Sequence, residues 1–507
     1  MPHVKWMFLP LIMAAMALLP SCKSSGEKVQ TETTGKVNPS GEAKVRLLLT
    51  TDEHGWLEPG RGKGGTKVGG SVSLAAHLAE ERKDIKPENV LLYSIGDMWT
   101  GPYLSTLLKG EPMVKTMNAL DYKGAVIGNH DFDFGQDQLT ANIKNSTFPY
   151  LAANLHLSKT KDHPPWSKPY QIINVDGVKI GILGFANKKT PETTDLKNLV
   201  GLEFTDYVQG IKKYVPIMRQ EGAKDIAVLI HDHPDEELSH IVLTLSKLGV
   251  RILGLGHAHR SHKEIFDPGT PENFDDDVII CNAGAYMRNY CRIDLHYKNN
   301  ALLHRAVEVV HLDTDEAQQE SHQAIQSLID DAHAQIDTYA KTYLTKLEND
   351  LLRKDGELGR AVVESWLNFF PKADAAITNR GAIRQDLHRG DVRVSDVISV
   401  LPFENTLIAV HITGAELKEV LLKKESLSAG VMYSVHESED GKKTITQLLD
   451  RVGNPIEDDK KVRVIINEFM YRGGDGFPFS RMDPNPELTA VNWRTPFIEM
   501  LKNVNSD

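Results

Sequence analysis

Five short apolar runs in the first half of the chain each end, within a few residues, in side chains carrying an oxygen or imidazole donor. Run 45–49 leads to Asp52 and His54, run 90–92 to Gly96 and Asp97, and run 125–127 to Gly128, Asn129 and His130. Run 226–230 ends at His231, and run 252–255 leads to His257 and His259. Short apolar runs alternating with helical patterns predict buried strands in a layered α/β (α+β) fold. In such folds the loops beyond the carboxyl ends of strands are free to carry chemistry, so the five donor sets are expected to converge.

A length of 507 residues predicts two folded units, and 41% hydrophobic with 25% charged residues is a globular balance. The alternation fills residues 43–312. A long polar stretch of helical period follows and predicts a connector helix over 313–355, with a second, smaller α/β domain over 356–507. The formal net charge of −11 argues against a nucleic-acid polymer as partner. A small anionic substrate is compatible with it, because bound divalent cations invert the local field.

The start of the chain reads as an export signal. His3 and Lys5 precede an apolar run, 8–19, too short to span a bilayer, which ends in Leu-Pro-Ser-Cys. Residues 1–22 resemble a bacterial lipoprotein signal with Cys22 as the lipidated residue. Residues 23–42 supply a flexible tether of low apolar content. The expected location is the bacterial cell envelope, anchored to the membrane and facing periplasm or exterior. Cys281 and Cys291 flank an expected turn between strands that look paired. Both a disulfide formed after export and two reduced buried thiols fit that placement.

The donors are carboxylate, amide and imidazole, which suits Zn, Mn, Co or Fe, and the absence of thiolates excludes a closed structural zinc site. Each piece alone is commonplace. Together they exceed the needs of one ion, and two ions about 3.5–4 Å apart are a usual device for attack on phosphorus.

Asp-Glu-His-Gly at 52–55, Gly-Asp at 96–97 and Gly-Asn-His-Asp-Phe-Asp at 128–133 resemble calcineurin-like metallophosphoesterases, and more narrowly the 5′-nucleotidase/UDP-sugar hydrolase family. The resemblance implies a four-layer sandwich followed by a substrate-binding domain. It implies that Asp52, His54, Asp97 and His259 hold one ion. Asp97, Asn129, His231 and His257 would hold the other, with Asp97 shared. His130 and Asp133 would be the catalytic pair, and the attacking group a hydroxide shared by the metals.

In the second half, Thr-Asn-Arg-Gly-Ala-Ile-Arg at 378–384, Pro-Phe-Glu-Asn at 402–405 and the segment 467–477 resemble the same family's nucleotide-binding motifs. By that resemblance Phe403 and Phe469 sandwich a nucleobase, Asp475 accepts from ribose hydroxyls, Asn379 contacts the base and Arg384 pairs a phosphate. Arg380 and Ala382 depart from the family's glycines. A second family arginine, sought between Gly359 and Asn379, is not found there. The implied activity is phosphate release from a nucleotide or nucleotide sugar, with 5′-nucleotidase first. UDP-sugar or cyclic-nucleotide hydrolysis, or a non-catalytic surface-binding lipoprotein, are the alternatives.

Overall fold

The computed structural model describes residues 41–61, 66–269, 276–312, 322–336 and 338–504. The leader 1–22 with Cys22, and the tether as far as residue 40, lie outside them.

Two six-stranded sheets face each other in the first half. One has the order Ala301–His311, Asn289–Lys298, Glu42–Thr50, Val90–Ser94, Gly124–Val126, Tyr150–Leu151. The other runs Ser261–Phe266, Val278–Ala283, Ile252–Leu255, Asp225–Ile230, Val178–Phe185, Tyr170–Val175. Each has parallel central strands. Strands buried on both faces carry near-continuous apolar sequence, and this is why the five runs do not alternate with polar residues. Leu47, Leu49 and Leu91 meet Ile180, Ile182 and Leu229 between the sheets. Helices Ser71–Glu81 and Glu111–Ala119 cover one outer face, and Tyr207–Gln220 and Leu238–Lys247 the other, giving four layers.

Cys281 and Cys291 are disulfide-bonded. Contrary to the expectation from the sequence, their strands are not paired with each other. Cys281 lies beside Gly254 in one sheet and Cys291 beside Leu49 in the other, so the bond spans the sandwich core. The reason is that the turn between them crosses from one sheet to the other.

The expected connector helix is also corrected. Among the described residues of 313–355 the helix is Gln323–Gln335, and Ile325, Ile329 and Ala332, on one face by their spacing, are buried in the first half's core. The chain then forms a strand, Tyr343–Leu347, antiparallel to Gly390–Arg393. Leu344 and Thr345 are buried there, and the Tyr-Leu-Thr-Lys-Leu sequence favours an extended backbone.

The second half is built on a five-stranded sheet, ordered Ser426–Ala429, Ala375–Asn379, Lys461–Asn467, Thr406–Thr413, Glu487–Asn492. Helices Glu357–Phe369 and Thr495–Asn503 pack on one face and Gly414–Leu421 on the other. Trp366 anchors the first face, its indole N–H donating to the Trp493 carbonyl at 3.1 Å. Tyr103 of the first half donates its backbone N–H to Ser399 Oγ of the second at 2.8 Å.

Candidate metal centre

Asp52, His54, Asp97, Asn129, His231, His257 and His259 all lie just beyond the carboxyl ends of central strands, as the apolar runs predict. Ligand atoms of Asp52, His54 and His259 lie within 4.8 Å of one another, and so do those of Asp97, His231 and His257. Asp97 Oδ2 is 3.0 Å from His231 Nε2 and 3.7 Å from His54 Nε2, so this carboxylate faces both groups.

The hydrogen bonds determine what the histidines present. His54 Nδ1 donates to the Thr100 carbonyl at 2.8 Å, and His231 Nδ1 to the Ile95 carbonyl at 2.6 Å. A carbonyl can only accept, so the proton sits on Nδ1 and, in the neutral ring, Nε2 is left as a lone pair. His54 Nε2 and His259 Nε2 approach to 3.1 Å. Asp52 Oδ1, Asp97 Oδ2, His231 Nε2 and both amide atoms of Asn129 are buried with no hydrogen-bond partner. One such group costs about 1–3 kcal/mol, so converging several at one point fits only a site built for cations. These residues could hold two divalent ions of the Zn, Mn, Co or Fe type.

The backbone is bent to bring the donors together. Asp52, His54, Asp97, His257 and His259 have φ of 52°, 45°, 60°, 66° and 56°, in the left-handed region that side chains other than glycine seldom occupy. Such strain persists only where surroundings over-determine it. His54 N–H donates to the Asp97 carbonyl at 2.8 Å and Asp52 N–H to the Gly96 carbonyl at 2.9 Å, tying two strand-end loops together. Gly128 is required by space, because a Cβ there would lie 2.2 Å from Asp97 Oδ1.

Several supports carried no sequence signal. Asp131 accepts from the N–H groups of Asp97, Met98 and Gly128 at 2.8–3.1 Å. Burial and then the Asp97 charge push its carboxyl up to about 8. Glu53 accepts from Thr50 and Ser94 hydroxyls, and burial pushes it up to about 7. Tyr286 hydroxyl meets His259 Nδ1 at 3.1 Å. Each is chosen by three-dimensional neighbours, and although Asp131 and Glu53 stand inside motifs, the motifs do not say which atoms they support. His233 stays apart, 3.1 Å from Asp235.

His130 Nδ1 and Asp133 Oδ2 are 2.9 Å apart, and His130 N–H donates to Asp97 Oδ1 at 2.7 Å. Burial lowers the imidazole's proton affinity, but Asp133 and Asp97 together raise it above the ordinary value. Against the opposing effect of burial, His231 and His130 hold the Asp97 carboxyl well below the usual range.

His130 and Asp133 open onto a hollow of about 710 Å³ whose far wall carries Asn379, Phe403, Phe469 and Asp475. Phe403 stacks on the His130 ring at 5.4 Å, and the Arg384 guanidinium lies 5.8 Å from the Phe403 ring. Arg384 Nη2 donates to His54 Nε2 at 2.9 Å. Asn379 donates to Asp475 at 2.7 Å and accepts from Asn467 at 3.0 Å, so its amide orients the carboxylate. Burial raises the Asp475 carboxyl. The Phe403 loop is clamped from behind. Arg494, 8% exposed, donates to the carbonyls of Leu401, Pro402 and Phe403, and Trp493 Nε1 to that of Phe403.

Arg380 is exposed, its backbone N–H donating to the Glu425 carbonyl at 2.8 Å and its carbonyl accepting from Ile383 at 3.2 Å, while Gly381 and Ala382 line the hollow. A second arginine does reach this region. Arg353 Nη1 donates to the Arg384 carbonyl at 2.8 Å. It lies inside the stretch expected to be connector helix and does not line the hollow that holds Phe403 and Phe469.

Residues 314–481 match the family model for the 5′-nucleotidase, C-terminal domain. The chain is 24% identical over 552 residues to NAD 5′-nucleotidase of Haemophilus influenzae, covering 90% of each. It is 24% identical to Endonuclease YhcR of Bacillus subtilis across 88% of this chain, which spans 39% of that protein's length. The crystal structure of 5′-nucleotidase precursor from Thermus thermophilus superposes with a TM-score of 0.76 at 22% identity, covering 91% of this chain and 96% of that one.

Proposed function

We propose that this chain, whose residues 314–481 match the 5′-nucleotidase C-terminal domain and whose fold is similar to that of a solved 5′-nucleotidase precursor, is a dinuclear-metal phosphohydrolase that releases phosphate from nucleotides. The observation that carries the reading is the buried cluster of unpartnered carboxylate, amide and imidazole atoms at the strand ends. Asp52, His54, Asp97 and His259 would hold one ion, and Asp97, Asn129, His231 and His257 the other. When bound, the two ions supply Lewis acidity and lower the pKa of water to roughly neutral.

The protein's own residues do the rest. Asp133 keeps the proton on His130 Nδ1, and the raised proton affinity of the ring favours a second proton on Nε2. That proton neutralises charge on the phosphoryl group and passes to the leaving oxygen. Arg384 pairs the phosphate through its planar fork. Phe403 and Phe469 stack on the nucleobase and Asp475, held by Asn379, accepts from ribose hydroxyls.

Export and attachment through Cys22 are part of this proposal, supported by the apolar run and Leu-Pro-Ser-Cys that precede the tether. The test is phosphate release from AMP and from UDP-glucose by the purified protein with added Mn or Co. Turnover should vanish with chelator and return with metal. A protein that binds two metal ions yet hydrolyses neither substrate is a binding protein instead.

A further inference from the structure

The metal centre adjoins two hollows, and its donor groups divide between them. Asn129, His130 and His257 line the hollow that carries Phe403 and Phe469, whereas Asp52, His54 and His259 do not. The His259 side chain is nevertheless 26% exposed, and the Tyr286 hydroxyl 3.1 Å from its Nδ1 belongs to the wall of a second hollow, of about 840 Å³. The His54 ring lies 5.8 Å from that of Tyr286 and meets Arg384 at Nε2. Arg384 lines both hollows. The centre therefore has the phenylalanine clamp on one side and a separate opening on the other.

That opening has the chemistry of an anion passage. Its wall carries Arg61, Arg288, Arg353, Lys354, Arg384 and Arg389 against two carboxylates, Asp350 and Asp386, on a chain with a net charge of −11. Both carboxylates are engaged. Asp386 accepts from the Arg353 backbone and lies 3.5 Å from its Nε, while Asp350 accepts from the Arg389 backbone and lies 3.5 Å from His388. Lys354 and Arg389 form no salt bridge among the described residues. The cations run from Arg384, half-buried beside His54, to the exposed Arg61, Lys354 and Arg389. Between them, Arg288 leans on the Trp56 and Tyr286 rings, 5.9 Å from each, with its Nε buried and unpartnered. A buried cationic N–H without an acceptor is costly, and a cleft lined by one sign of charge concentrates the opposite ion. Exposed charges, by contrast, interact weakly through water, so the outer cations let an anion go.

We infer that the second hollow binds inorganic phosphate and is the route by which that product leaves the metal centre, an inference that rests on the phosphohydrolase reading above. A nucleotide enters the clamp phosphate first, so after hydrolysis the phosphate lies deepest and the stacked nucleoside stands between it and the way in. The second hollow removes that obstruction. Arg384, which pairs the phosphoryl group during the reaction, passes the anion outward to Arg353 and Arg288, and Lys354, Arg389 and Arg61 deliver it to solvent. The two products then leave by opposite sides, in either order. Product release limits turnover in many enzymes, so the passage acts on the rate of release and leaves the chemical step alone.

The experiment times the first turnover of AMP by the metal-loaded full chain. Rapid quench reads bond cleavage, a fluorescent phosphate reporter reads free phosphate, and a coupled assay reads free adenosine. In the double variant Lys354→Glu/Arg389→Glu the interval between cleavage and free phosphate should lengthen by about tenfold or more, the lower end of what a one-signed cleft contributes to ion transit. The interval for adenosine should not change. Lys354→Arg/Arg389→Lys, which keeps both charges, should restore the wild-type interval, and added salt should lengthen it in the wild type alone. An unchanged phosphate interval overturns the route, and so does an equal delay of both products, which would mean that they leave together past the clamp. A second measurement stands apart from turnover. Inorganic phosphate, titrated into the metal-free full chain by calorimetry, should bind the double variant at least tenfold more weakly, and equal affinities overturn the site. A wild-type protein that cleaves no AMP sinks the phosphohydrolase reading and the route with it, while the titration still judges the hollow as a phosphate site.

Discussion

Asp97 is the side chain on which most of the centre depends. Its Oδ2 faces histidines of both groups, and its Oδ1 accepts the His130 N–H. Asp97→Asn should therefore lower metal content and turnover together. Loss of metal affinity of at least tenfold is expected, since even outer-shell changes commonly cost about 10–100-fold, and elemental analysis beside a rate assay checks it. His130→Ala should instead spare metal content and lower kcat by about 10²–10⁴-fold, the usual range for a positioned proton donor. A proportional loss of metal would contradict that role. All seven donors were legible at this scale because each follows an apolar run closely. Asp131, Tyr286 and the carbonyls of Ile95 and Thr100 were not legible, because nothing in their sequence neighbourhood marks the atom they support.

The elements were readable where a single periodicity ruled and misread where two structures shared one stretch. Polar residues surrounding Ile325, Ile329 and Ala332 imitate a solvent-exposed helix, and the short strand after it has no apolar run long enough to announce itself. Pairing between sheets is equally silent. The strands of Cys281 and Cys291 are separated by one turn, and only the fold says that the turn changes sheets. Replacing both cysteines by serine should cost about 2–3 kcal/mol by the loop-closure argument, read as a shift in denaturation midpoint. The Phe403 loop offers a second check. Arg494→Ala leaves the carbonyls of Leu401 and Pro402 without their donor, while that of Phe403 keeps Trp493, so a loss of about 2 kcal/mol and a raised KM for nucleotides are expected from denaturation and kinetics.

For the whole molecule, the substrate hollow is walled by both halves of the chain, so neither half alone contains the site. Arg472 of the second half pairs with Asp195 of the first at 2.9 Å, close to that hollow's rim. The two-domain organisation could be read from length and alternation, whereas the juxtaposition of the halves could not, since it rests on contacts between residues hundreds of positions apart. The nucleotide clamp belongs to this scale. Phe403→Ala and Phe469→Ala should each raise KM for AMP by about 5- to 150-fold, the worth of one base–aromatic stack, with a smaller change for an aryl phosphate lacking a nucleoside. Equal effects on both substrates would reject the clamp.

The left-handed turns at Asp52, His54, Asp97, His257 and His259 set heat resistance against activity. Glycine at any of them releases backbone energy of about 1–3 kcal/mol while deleting a donor. A selection for survival at high temperature alone should therefore enrich inactive proteins first, and breeding a hardier catalyst from this chain requires scoring turnover in the same round.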